Sequence, residues 1–149
     1  MRSFEADLAG RFVAGILWER RGKVYKILIV DDDQALTRAL TVRLRAAGFH
    51  VDVSNSAYDA TRVAPHARPD LIILDVDMPG YTGLEFHQCL QFTQRSRHIP
   101  VIYLSGHDTE LNRRLAFEQG AATFLTKPYD ADHLVTAIHS AIEASPNPA

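Results

Sequence analysis

Four positions in this chain carry reactive groups straight after an apolar run. Asp31-Asp32-Asp33 follows Ile27-Leu28-Ile29-Val30, Asp75 ends Leu71-Ile72-Ile73-Leu74, Ser105 ends Val101-Ile102-Tyr103-Leu104, and Lys127-Pro128 follows Ala122 to Thr126. If these runs are parallel strands, their ends share one edge of a sheet and bring together carboxylates, a hydroxyl and an ammonium. Three carboxylates within a few ångströms repel by roughly 4 kcal/mol per pair at an effective dielectric of about 20, so the cluster calls for a cation. A small set of hard oxygen ligands with room for waters and phosphate oxygens selects Mg²⁺, or Mn²⁺, over Zn²⁺. An Asp carboxylate can then attack a phosphoryl group held in line, while Lys127 and Ser105 contact its oxygens.

The elements that must position these groups can be read from periodicity. The runs are continuous in apolarity, as expected of strands covered on both faces. Leu36, Leu40 and Leu44 recur at helical spacing before a stop at Gly48, and Val51 and Val53 alternate as a weaker strand. Ala57–Ala64 reads as a short helix closed by Pro65. Leu84–Phe92 reads as a helix whose inner face takes Leu84, Cys89 or His87, and Leu90 or Phe92. Pro100 opens the next strand, Thr109–Gln119 is helical up to Gly120, and Asp132–Ala144 places Leu134, Ile138 and Ile142 four residues apart. Strand and helix thus alternate five times, the signature of a doubly wound α/β sheet.

The 149 residues suffice for one such domain, with formal charge -2 from 16 basic and 18 acidic residues. That balance gives no electrostatic footprint for nucleic acid. Cys89 is the single cysteine, which excludes an internal disulfide and suits a reducing, cytoplasmic setting. No apolar stretch approaches the ~20 residues of a membrane span.

With these residues assembled, the chain resembles the receiver domain of bacterial two-component response regulators. The matching pieces are Ile-Leu-Ile-Val-Asp31-Asp32-Asp33, Leu-Ile-Ile-Leu-Asp75-Val-Asp77-Met78-Pro79-Gly80 with Gly83 following, Leu104-Ser105-Gly106, and Thr126-Lys127-Pro128-Tyr129. The resemblance covers roughly residues 25–144 and implies a five-stranded parallel sheet of order 2-1-3-4-5. It implies that Asp75 is the phosphoacceptor, that Asp32 ligates Mg²⁺ directly and Asp31 mainly through water, and that Asp77 offers its backbone carbonyl to the metal. Ser105 becomes the switch hydroxyl, Lys127 the phosphate-contacting lysine and Phe124 the switch aromatic. Asp77 and His107, two residues past Asp75 and Ser105, would govern access of hydrolytic water. The implied partners are a sensor histidine kinase or a histidine phosphotransfer protein and a downstream protein target, with phosphorylation-dependent self-association.

Taken singly, each motif has a plainer explanation: Asp33 as a helix N-cap, Asp75 as a turn residue, Lys127-Pro128 as a solvated loop, Ser105 as a cap. The other histidines read as surface or satisfied residues. Asp75-Val-Asp77 also resembles the nucleophile motif of haloacid dehalogenase-like phosphatases, but there the acidic pair comes last, and here it comes first. A further alternative is the detached receiver of a DNA-binding transcriptional regulator. Ahead of the first strand, Phe4, Leu8, Phe12 and Ile16 recur every four residues in a segment, 1–24, that is an extension of the domain: an amphipathic docking or membrane-surface helix, or untranslated if Val24 is the natural start. Residues 145–149 read as a disordered tail.

Overall fold

The computed structural model describes residues 23–78, 82–107 and 109–145. Five strands, β1 (Lys26–Val30), β2 (His50–Ser54), β3 (Leu71–Asp75), β4 (Val101–Ser105) and β5 (Thr123–Thr126), form one parallel sheet of order β2-β1-β3-β4-β5. The helices are α1 (Gln34–Ala46), α2 (Ala57–Ala67), α3 (Gly83–Gln91), α4 (Glu110–Glu118) and α5 (Ala131–Ala144).

The continuous apolar runs arise because successive side chains enter two separate cores. Ile27, Ile29, Ile73, Ile102 and Leu104 pack with Leu40 and Leu44 of α1 and Leu134 and Ile138 of α5. Their neighbours Leu28, Val30, Ile72, Leu74 and Tyr103 point the other way, onto Ala60, Phe86, Leu90, Ala116 and Phe124. Each central strand therefore needs an apolar residue at every position. Registers Val30↔Leu74, Asp75↔Leu104 and Ser105↔Thr126 bring the carboxyl ends of the strands level.

Two helix readings change. α2 does not close at Pro65 but runs to Ala67, and Arg68 N–H caps it on the Ala64 carbonyl at 3.0 Å. Pro65 lies in the last turn, so its missing N–H removes a single late hydrogen bond. In α3 the buried face is Phe86, His87 and Leu90, whereas Phe92 is 86% exposed and Cys89 is exposed. A capping box between Thr82 and Glu85 fixes where this nine-residue helix starts and hence which side chains turn inward. Asp33 is the N-cap of α1, accepting from Leu36 N–H at 3.0 Å. The Phe4, Leu8, Phe12, Ile16 pattern, the Val24 start and most of the tail concern residues 1–22 and 146–149, which lie outside the described residues, as do Pro79 and Gly80. Among the described residues, no helix is long and apolar enough to cross a membrane.

Candidate functional site

β1 and β3 end side by side, so the carboxylates of Asp31 and Asp75 emerge next to each other, and both residues are buried. Asp32, one residue on, is exposed. Asp31, Asp32 and Asp75 each offer an oxygen within 4.8 Å of the others. An all-oxygen set with two members sealed from solvent and one open to it fits a hard divalent cation that keeps free positions. A Cβ on Gly83 would stand 2.3 Å from the Asp75 carbonyl oxygen, so only glycine lets α3 start this close to the end of β3.

Lys127 reaches into this cluster from the end of β5. Its Nζ donates to Asp31 Oδ2 at 2.9 Å and stands 3.6 Å from Asp75 Oδ1. The backbone holds it there: Lys127 N–H donates to the Ser105 carbonyl at 2.7 Å. Burial alone would lower the ammonium's pKa, but the hydrogen bond and charge of Asp31, with the charge of Asp75, outweigh it and raise it. Asp31 is further tied by Asp33 N–H to its Oδ1 at 2.9 Å and by the Asn55 side chain to its carbonyl at 2.9 Å.

Asp75 is raised from its ordinary 3.8 to about 6. Desolvation is the main cause; the Asp77 N–H bond at 3.1 Å opposes it, Asp31 and Asp77 add repulsion, and Lys127 attracts. A cation among the carboxylates would act against the desolvation and favour the ionised Asp75 carboxylate.

Ser105 is fully buried at the end of β4, and its hydroxyl donates to Asp77 Oδ2 at 2.8 Å. The same Oδ2 meets His107 Nδ1 at 3.2 Å, and His107 N–H donates to Ser105 Oγ at 3.0 Å. Asp77 therefore ties the hydroxyl and the imidazole together over the mouth of the site. Phe124 lies two residues deeper along β5, in register with Tyr103 and 4% exposed. Its ring stacks with that of Tyr103, centroids 6.4 Å apart, and the Arg113 guanidinium lies over it at 5.1 Å.

Asp31, Asp32, Asp75, Asp77, Ser105, His107 and Lys127 thus share one edge, with Phe124 buried beneath. The sequence reading missed Asn55 and the steric need for glycine at 83, neither of which has a local pattern. Tyr129, which closes the last of the matching motifs, is half-buried beside the site. Burial raises that phenol's pKa, Lys127 lowers it and Asp31 raises it.

A family model of the response regulator receiver domain matches residues 27–139. The chain is 35% identical over 104 residues to the alkaline phosphatase synthesis transcriptional regulatory protein PhoP of Bacillus subtilis, covering 70% of this chain and 42% of that protein. It is 36% identical over 115 residues to the response regulator PleD of Caulobacter vibrioides, covering 77% of this chain and 25% of PleD. It therefore spans less than half the length of either of these two relatives. Among solved structures it is similar to chemotaxis protein CheY4 of Vibrio cholerae, with TM-score 0.76, 27% identity and coverage of 80% and 99% of the two chains. A response regulator of Chloroflexus aurantiacus gives TM-score 0.77, 28% identity and coverage of 81% and 99%. The sheet order, the carboxylate edge and the match over residues 27–139 together establish that this chain belongs to the response regulator receiver domain family, the signalling module of two-component systems.

Proposed function

We propose that Asp75 accepts a phosphoryl group from the phosphohistidine of a sensor histidine kinase or histidine phosphotransfer protein, with Mg²⁺, and that the signal leaves through a protein contact or self-association. The observation that carries this reading is the Lys127 ammonium held between Asp31 and Asp75 beside three clustered carboxylates. A carboxylate oxygen of Asp75 forms the new bond to phosphorus as the P–N bond to the donor imidazole breaks, and that imidazole keeps the electron pair. Lys127 stands where it can neutralise the transferred oxygens. Asp31, Asp32 and Asp75, with the Asp77 carbonyl, would hold Mg²⁺, which offsets their repulsion and adds charge stabilisation for the phosphoryl group.

The Ser105 hydroxyl would turn from Asp77 to the new phosphoryl oxygen, and Phe124 would follow into the vacated space. Asp77 and His107, joined over the mouth, would set how hydrolytic water reaches the acyl phosphate. A cytoplasmic location accords with Cys89 being the single cysteine of the sequence. The haloacid dehalogenase-like reading is not favoured: the acidic pair ends the first strand, the acceptor ends the third, and the family match is to receivers.

Incubation with acetyl phosphate and Mg²⁺ tests the proposal. Intact mass should show one added phosphate, labile at alkaline pH, and none on Asp75→Asn. Undiminished labelling of the Asn variant would place the acceptor elsewhere.

A further inference from the structure

The sheet edge opposite the carboxylates holds a cleft of about 900 Å³, formed where β1 begins and by the α2–β3 and α3–β4 loops. Five cationic residues line it, Lys23, Lys26, Arg68, Arg95 and Arg97, against a single carboxylate, Asp70. Asp70 is fully engaged, its Oδ1 by Lys23 Nζ at 3.0 Å and its Oδ2 by Lys26 N–H at 2.8 Å. Among the described residues, Lys26 Nζ meets only the neutral Ala67 carbonyl, at 3.2 Å. Arg68, Arg95 and Arg97 are exposed, and among the described residues their guanidinium groups have no acidic partner. Five cations against one carboxylate leave an excess of four positive charges in one concavity, on a chain whose formal charge is -2.

Such an accumulation sets up a positive potential in the concavity that attracts an anion. The guanidinium forks match phosphate oxygens two at a time. The volume falls within the range of about 300–1,000 Å³ usual for small-molecule sites, and Val24, Pro65 and Ile99 supply an apolar wall. Arg68 adopts a left-handed backbone, φ 49°, between the end of α2 and Pro69, which fixes where its side chain departs. We infer that this cleft binds a soluble organic polyphosphate of nucleotide size, at a site separate from the phosphoryl acceptor and independent of it.

Calorimetric titration of the full chain with ATP, in EDTA and at fixed ionic strength, tests the inference. Chelation keeps nucleotide-bound metal from drawing ATP to the carboxylate edge. ATP should bind saturably at one site and be displaced by inorganic tripolyphosphate. Arg95→Ala with Arg97→Ala should weaken ATP by roughly tenfold or more, the loss expected for charge-assisted phosphate contacts, without changing phosphate uptake at Asp75. Asp75→Asn should bind ATP as the wild type does. Absence of saturable binding, or equal affinity in the double variant, would overturn the inference. So would binding confined to phosphatidylserine vesicles with none to ATP, which would make the cleft a membrane contact.

Discussion

His87 gives the sharpest quantitative test of the core between α3 and β4. It is 2% exposed on α3, with Nδ1 2.6 Å from the Tyr103 hydroxyl and Nε2 3.2 Å from Gln91 Nε2. An amide nitrogen can only donate, so Nε2 of the imidazole accepts and Nδ1–H donates to Tyr103, which defines a neutral tautomer. Burial lowers the pKa of His87 from 6.5 to about 4. Because the unfolded chain then binds the proton more tightly, stability is complete above pH 6.5 and is lost as pH falls toward 4. A shift of this size corresponds to about 3 kcal/mol, a large part of a domain's typical stability. Asp75 works in the opposite sense: its raised pKa adds stability as pH falls from about 6 to its ordinary 3.8. The assay is therefore differential. Urea unfolding in EDTA from pH 7 to pH 4 is compared for wild type and a variant carrying both His87→Phe and Tyr103→Phe, which leaves neither partner unpaired in the core. Wild type should lose about 3 kcal/mol relative to the variant over this interval. Parallel pH profiles would refute the reasoning, because they would mean that no buried neutral imidazole must be charged on unfolding.

Gly83→Ala should destabilise the fold by about 3 kcal/mol and slow phosphate uptake, since the new methyl meets the Asp75 carbonyl and not a movable side-chain tip; chemical denaturation and acetyl phosphate labelling read the two effects. Asp32→Ala removes an exposed carboxylate, so unfolding should shift by no more than about 0.5 kcal/mol while Mg²⁺ affinity and labelling fall together in calorimetry and intact mass. Ser105→Ala should leave labelling of Asp75 largely intact but reduce the phosphorylation-dependent gain in partner or self-association, a coupling expected at about 1–3 kcal/mol, measured by comparing both forms with wild type.

Much of this architecture was legible because its central strands are covered on both faces. Ile27 to Val30 and Leu71 to Leu74 have no polar position to disguise them, and parallel pairing then dictates that their terminal groups converge. The α5 stripe of Leu134, Ile138 and Ile142 was equally plain, since a 14-residue helix repeats its pattern often enough to fix its phase. Over nine residues α3 does not, and by spacing Phe92 is as suitable for the core as Leu90; the Thr82 cap sets the rotation that buries Leu90. Pro65 misleads for a different reason: a proline removes one N–H and crowds the carbonyl four residues back, yet its fixed φ is helical and the chain continues as helix to Ala67. Nor could spacing show that Ser105 donates to Asp77, or that His87 is satisfied by Tyr103, because both pairs are made by strands and helices distant in sequence.

The hydrogen bond from Ser105 to Asp77 bears on how quiet the receiver is without its signal. In the proposed switch the hydroxyl must leave that carboxylate before Phe124 can move, so every spontaneous activation first breaks a charge-assisted bond with no phosphoryl group to replace it. At about 1.5–3 kcal/mol, such a bond thins the unprompted active population by roughly ten- to a hundredfold. Asp77 would then set the noise floor of the pathway. A weaker acceptor at this position would give a more easily triggered receiver at the expense of contrast between its two states.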